Sequence, residues 1–143
     1  MRRKCAGCDA EFDDSFRRPA CPHPLYPHAA LFAIENIAGK GRGVVARASF
    51  AAGDVIMADP VVEFDEHDVD ERSPLFSYPF MWTPGSDVLA LGLSNLCNHS
   101  ASPNTRFERE HEARILRLVA LRDIAPGDEI TIDYVKPWFD VVE

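Results

Sequence analysis

The chain has 143 residues, of which 46% are hydrophobic, and a formal net charge of -8 at pH 7. This length is close to the usual size of one domain, and the hydrophobic fraction excludes wholesale disorder. The negative charge argues against direct nucleic-acid binding, which depends on phosphate neutralisation by Lys and Arg, and it suits a basic protein or peptide as partner. No apolar run approaches the ~20 residues that span a bilayer, and no secretory signal is recognisable. We therefore expect no membrane association and a cytoplasmic location, with export to a host as the alternative.

The N-terminal segment is rich in cysteine and proline. Cys5 and Cys8 form a Cys-x-x-Cys pair, and Cys21 follows with His23 and His28 nearby. A Cys-x-x-Cys turn supplies half of a tetrahedral zinc site, which Cys21 and His23, or His28 in its place, would complete. Zinc is thus one expected cofactor. The alternative is a proline-rich tail with idle thiols, because such compositions often stay irregular.

From residue 31 onward the chain consists of short apolar runs separated by turns. Glycines at 39–43 are typical of a hairpin loop. The segments 50–56 and 124–130 resemble each other, since each has a Gly-Asp pair followed by a strand, and we interpret both as turns that lead into strands. The predicted strands cover residues 31–34, 44–46, 55–57, 60–64, 105–107, 113–120 and 129–134.

Less regular segments separate these strands. The acidic run 65–71 is typical of a solvated loop, and the alternative is a rim that attracts a basic peptide. Two prolines exclude a long helix in the aromatic segment 74–82, whose Phe and Trp side chains we expect in the core, whereas Tyr78 could present its hydroxyl to a pocket. Residues 87–93 are expected to form a short helix or helical turn. Many short strands, little helix and frequent turns predict a β-rich α+β fold.

The most informative stretch is 89–104, whose small apolar first half changes abruptly to Asn-His-Ser-Ala-Ser-Pro-Asn. Alone, this polar half is as typical of a turn as of a binding loop. Gly-Lys-Gly-Arg-Gly-Val-Val lies upstream at 39–45, and Gly-Asp-Glu-Ile-Thr-Ile-Asp-Tyr lies downstream at 127–134. In this order the three segments resemble the SET-domain family of protein-lysine methyltransferases.

The resemblance implies a SET-domain fold of small curved β-sheets with a C-terminal pseudoknot. It extends over residues 31–139 and is greatest to the minimal viral and bacterial type. We therefore divide the chain into a Cys/Pro-rich N-terminal extension, residues 1–30, and a SET domain with a short aromatic tail, residues 31–143. Ala101 stands where many members have a zinc-binding cysteine, so the zinc site that such members share with a post-SET segment is not expected here.

Family members bind S-adenosylmethionine on one face and receive the substrate lysine from the other. By position in the family's motifs, the implied cofactor-binding residues are Lys40, Gly41, Arg42, Gly43, Asn98, His99 and Trp138. Tyr134 matches the family's catalytic tyrosine, and Tyr78 is the candidate for a second catalytic tyrosine in the lysine channel. Trp138 and Phe139 would close the site over the adenine, or would simply dock the tail on the core.

The activity implied by the resemblance is methyl transfer from S-adenosylmethionine to the ε-amine of a lysine in a histone, histone-like or ribosomal protein. One alternative is a catalytically silent SET-like module that binds a basic peptide or the cofactor without turnover. Another is a small zinc-binding adaptor that interacts through its N-terminal cysteines. Some minimal relatives pair, so a homodimer is a further expectation from the resemblance.

Overall fold

The computed structural model describes residues 31–134 together with two short N-terminal strands, β1 (Arg3–Lys4) and β2 (Glu11–Phe12), which pair antiparallel. The other strands are β3 (Phe32–Ile37), β4 (Gly41–Ala46), β5 (Val55–Asp65), β6 (Phe80–Thr83), β7 (Ser86–Ala90), β8 (Asn98–His99), β9 (Thr105–Glu110), β10 (Ile115–Ala120) and β11 (Glu129–Ile132). Two short 3-10 helices, Pro74–Ser77 and Ser94–Leu96, lie between strands.

Two larger sheets form the body of the domain. One has the strand order β6-β7-β5-β10-β9 and the other has the order β3-β4-β11-β8. Within these two sheets neighbouring strands are antiparallel, except for β8 and β11, which run parallel. Small sheets and little helix agree with the predicted β-rich SET fold. Strand β11, near the end of the described residues, lies between β4 and β8.

The glycine-rich segment forms the predicted hairpin between β3 and β4. The Lys40 amide donates to the Ile37 carbonyl at 3.0 Å and closes the turn. Gly39 and Gly41 have φ angles of 76° and 79°, a backbone conformation that side chains with a Cβ rarely adopt. This turn therefore needs its glycines for backbone reasons.

The two Gly-Asp segments are turns before strands, as predicted, and they also pair with each other. Phe50 and Ile124 exchange two backbone hydrogen bonds of 2.9 Å. The amide of Gly53 donates to the last residue of β10, and the amide of Gly127 donates to the last residue of β4, both at 2.8 Å. Each turn thus caps the strand that precedes the other turn.

The core lies between the two sheets. Its largest fully buried side chains are Phe32, Leu116, Leu118, Ile124, Ile130 and Ile132. The predicted core aromatics Phe80 and Trp82 are 8% and 5% exposed, and Phe76 is half-buried. Tyr78 is 36% exposed, consistent with a side chain that is not part of the core.

Part of the prediction for residues 87–93 is wrong. Residues 87–90 belong to strand β7, whose backbone pairs with both β5 and β6. The helical turn begins later, at Ser94, and leads directly into the polar loop. The acidic run 65–71 is the predicted exposed loop. Among the described residues no helix is long and apolar enough to cross a bilayer.

Candidate functional site

The parallel pair β8–β11 brings two of the distant motifs together. Asn98 lies opposite Thr131, and His99 lies opposite Ile132. On its other edge β11 pairs with β4, which follows the glycine turn. All three motifs of the sequence therefore meet around the four residues of β11.

Tyr134 lies just beyond β11 and is held at two points. Its hydroxyl donates to the Cys97 carbonyl at 3.0 Å, and its backbone N–H donates to Nδ1 of His99 at 3.0 Å. The two rings lie 5.3 Å apart at an angle of 49°. Because Nδ1 accepts this bond, the neutral imidazole carries its hydrogen on Nε2. The contacts fix both the position and the direction of the phenol.

The Tyr134 phenol stays neutral over the physiological range. Burial, the largest cause, raises its pKa to about 12, and smaller contributions come from Cys97, Glu129 and Tyr78. A backbone hydrogen bond from His99 acts in the opposite direction. A phenol with this pKa is a poor general base near neutral pH, but it can donate, accept and orient.

Asn98 occupies the corner between β4 and β11. Its amide nitrogen donates to the Glu129 carboxylate at 2.8 Å and to the Arg42 carbonyl at 3.3 Å. Both amide hydrogens are then used, so the oxygen Oδ1 is the atom that can accept from a ligand. Gly43 leaves room for this amide, since a Cβ there would lie only 2.7 Å from the Asn98 amide nitrogen.

Lys40 points into the same corner. Its amine lies 3.7 Å from Oε2 of Glu129 and 3.4 Å from the His99 carbonyl oxygen, and its side chain is only 12% exposed. Gly41 and Arg42 are exposed at the start of β4. Lys40 therefore lies against Glu129 in this corner, and the sequence motifs had assigned no role to that acidic residue.

The structure thus gathers most of the predicted site residues, which are Lys40, Gly41, Arg42, Gly43, Asn98, His99 and Tyr134. Tyr78 is 36% exposed at the end of the 3-10 helix Pro74–Ser77, and its role in the lysine channel stays a prediction. Trp138, Phe139 and the predicted zinc ligands Cys5, Cys8, Cys21 and His23 lie outside the described residues. Within the described part, no group of three potential ligands is arranged to hold a metal ion.

A buried carboxylate supports the loop that carries Asn98. Asp59 is 3% exposed, and its Oδ2 accepts from the hydroxyl of Ser94 at 2.7 Å and from the amide of Ser94 at 3.2 Å. Gly92 packs directly on this carboxylate, because a Cβ there would lie 2.2 Å from Oδ1. Asp59 thereby fixes the turn that presents the Cys97 carbonyl to Tyr134.

The last residue of the polar motif, Asn104, clamps β11 from the other side. Its side-chain nitrogen donates to the Glu129 carbonyl at 2.7 Å, and its side-chain oxygen accepts from the Thr131 amide at 2.8 Å. The side chain replaces a neighbouring strand in the hydrogen-bond ladder. Sequence reasoning had assigned no role to Glu129, Asp59 or Asn104, although Asn104 closes the polar motif and Glu129 directly follows Gly-Asp.

Comparison with known proteins gives concordant results. A family model described as SET domain matches residues 41–135. The chain is 30% identical over 111 residues to the Schizosaccharomyces pombe protein named Histone-lysine N-methyltransferase, H3 lysine-37 specific, with 75% of this chain and 76% of that protein covered. It is 32% identical over 117 residues to Histone-lysine N-methyltransferase Set8 of Drosophila pseudoobscura pseudoobscura, covering 71% of this chain and 17% of that protein.

A solved structure supports the fold alone. A Plasmodium falciparum protein, named as a candidate histone methyltransferase, superimposes with a TM-score of 0.63 at 24% identity. The match covers 76% of this chain and 96% of that one. The closer resemblance to the minimal viral and bacterial type stays a prediction, as does the division of the chain at residue 30.

Proposed function

The chain belongs to the SET-domain family of protein-lysine methyltransferases, and we propose that it transfers methyl groups from S-adenosylmethionine to lysine in a histone or histone-like basic protein. The observation that supports this most is the fixed Tyr134 phenol beside the Asn98 corner. Both features lie at the ends of one parallel strand pair. A reactive group at the phenol and a cofactor in the corner would therefore be neighbours.

The residues of the corner fit S-adenosylmethionine. Gly43 lets the Asn98 amide pack closely against β4, and Oδ1 of Asn98 can accept from the ammonium group of the methionine part. Gly41 and Arg42 are exposed next to Gly43. When bound, the cofactor supplies a methyl group on a positively charged sulfur. Trp138 stays a predicted adenine contact.

Tyr134 would orient the substrate amine. The hydroxyl hydrogen is directed to the Cys97 carbonyl, so the phenol would act towards an incoming N–H as an acceptor. Alignment of two reactants in this way lowers the activation free energy by up to ~7–11 kcal/mol. The substrate lysine must be neutral to attack, and burial in an apolar channel lowers a lysine's pKa. Tyr78 is the proposed second wall of that channel.

A basic substrate protein agrees with the charge of the chain. The net charge of -8 attracts Lys- and Arg-rich partners. The exposed acidic loop 65–71 precedes Tyr78 closely in sequence. The two curated relatives are both named as histone-lysine methyltransferases. Histone H3 is therefore the first substrate to test.

The proposal predicts lysine methylation of recombinant histone H3 by the full chain with S-adenosylmethionine, detected by peptide mass spectrometry. Gly43→Ala should weaken cofactor binding about tenfold, because the new Cβ overlaps Asn98. Gly85→Ala is the matched control, since Gly85 has a φ of 95° with open space around it and lies in the β6–β7 turn. It should lose stability but keep cofactor affinity.

Two outcomes would contradict the proposal. If the wild-type chain binds the cofactor but methylates neither H3 nor other basic proteins, the silent-module alternative is correct. If it binds no cofactor at all, the proposed site is wrong. Methylation of an acidic protein of equal lysine content at the same rate as H3 would overturn the proposed substrate class.

A further inference from the structure

The carboxylate of Glu129 forms the inner wall of the Asn98 corner. Its Oε1 accepts from the Asn98 amide nitrogen at 2.8 Å, and its Oε2 lies 3.7 Å from the Lys40 amine. The Glu129 side chain is 20% exposed. A charged group this deeply placed interacts strongly with its surroundings, because water screens it little.

Glu129 determines which way the Asn98 amide faces. A carboxylate only accepts hydrogen bonds, so the amide nitrogen must point towards it, and the Arg42 carbonyl on the same side imposes the same orientation. Oδ1 is thereby directed away from Glu129. Glu129 therefore determines the direction in which Oδ1 of Asn98 can accept a hydrogen bond from a cationic ligand.

The charge of Glu129 also reaches the region of Tyr134. Burial is the main cause of the raised pKa of the phenol, and the Glu129 charge adds to it. The Lys40 amine faces this charge at 3.7 Å and also contacts the His99 carbonyl. Glu129 binds Asn98, and the preceding residue, Cys97, accepts from the Tyr134 hydroxyl, so the carboxylate lies near the proposed place of methyl transfer.

We propose that Glu129 positions Asn98 and makes the site prefer the cationic methyl donor to the neutral product. S-adenosylmethionine carries a sulfonium, whereas S-adenosylhomocysteine, which remains after transfer, is an uncharged thioether. A fixed negative charge nearby stabilises the first and not the second. The inference rests on the proposed function. It also accounts for product release, because the site would bind the uncharged thioether more weakly than the sulfonium.

Isothermal titration of both ligands tests this inference without turnover. Glu129→Gln keeps the size of the side chain and an oxygen that accepts from Asn98, but removes the charge. We expect the ratio of the two dissociation constants to shift about tenfold against S-adenosylmethionine. Lys40→Met removes the balancing charge and should shift the ratio the other way. Glu112→Gln, in the exposed β9–β10 turn, is the charge-matched control and should change neither constant.

General damage to the site would weaken both ligands equally, so the ratio separates charge from structure. An unchanged ratio in both Glu129→Gln and Lys40→Met, with both ligands still bound, would overturn the inference and leave the proposed function intact. If Glu129→Gln is unfolded by circular dichroism, the Lys40→Met ratio decides alone. If the wild type binds neither ligand, the proposed function fails, and the inference falls with it.

Discussion

The two Gly-Asp turns share a backbone design but lead to different places. In each, the Asp carboxylate accepts from the Ala amide three residues earlier at 2.9 Å, and each turn caps the strand before the other. The first continues as the long strand β5 in the five-stranded sheet. The second continues as the short strand β11 between β4 and β8. The two turns therefore have the same structural role, and the strands that follow them account for the difference between the two regions.

Equivalent positions after the turns differ in chemistry. Directly after Gly-Asp, Val55 is 54% exposed, whereas Glu129 binds Asn98. Further along, Pro60 of the first segment corresponds to Tyr134 of the second. The second segment thus carries groups of the candidate site, whereas the first carries a proline that cannot donate to a strand ladder.

Asp59 and Asp133 occupy equivalent positions in the two segments, five residues after the Asp of each Gly-Asp pair. Their replacement should give the largest difference in the free energy of unfolding. Asp59→Ala leaves the buried Ser94 amide and hydroxyl without their acceptor, which should cost about 1–3 kcal/mol in the free energy of unfolding. Asp133→Ala, at a side chain that is 60% exposed, should cost about 0.5 kcal/mol or less. Urea unfolding measures both, and equal losses would contradict the distinct roles.

The turn glycines should behave alike in stability. Gly53 and Gly127 have φ angles of 90° and 94° with open space at the Cβ position. Replacement by alanine should therefore destabilise each by about 1–2 kcal/mol through the backbone alone. Thermal and urea unfolding of Gly53→Ala and Gly127→Ala check this. Of the two, only Gly127→Ala should also weaken cofactor binding, since it lies two residues before β11; equal binding in both would contradict the comparison.

A pH titration tests the environment of the Tyr134 phenol. The raised pKa of Tyr134, about 12, means that the folded chain keeps this proton where the unfolded chain, with a value near 10, has lost it. The contribution of this bound proton to the free energy of unfolding is complete below pH 10 and is lost as the pH rises through 12. Ultraviolet titration should show a late tyrosinate component that Tyr134→Phe removes. Its persistence in that variant would contradict the assigned environment.

Much of the fold was predictable because it depends on local patterns. The hairpin at Gly39–Gly41 and both Gly-Asp turns follow from residues that tolerate positive φ. The motifs also placed Asn98 and Tyr134, through resemblance to the family. Strand β7 was missed, because its pairing with β5 and β6 is a long-range property that outweighs local preference.

The missing site residues needed three-dimensional information. The side chain of Asp59 faces the core only because β5 passes under the Ser94 turn, and no spacing in the sequence records that contact. Glu129 looked like an ordinary residue after a turn until β8 placed Asn98 beside it. Such partners are far apart in sequence and become neighbours only through sheet order.

The most direct test of the account is the rate of lysine methylation of histone H3 by the wild type and by Tyr134→Phe, measured by mass spectrometry at saturating S-adenosylmethionine. Loss of an orienting hydroxyl should lower the rate about a hundredfold or change the number of methyl groups added, while cofactor affinity stays unchanged. Transfer by Tyr134→Phe at the wild-type rate, with the same methylation state, would contradict the placement of the reaction at this phenol.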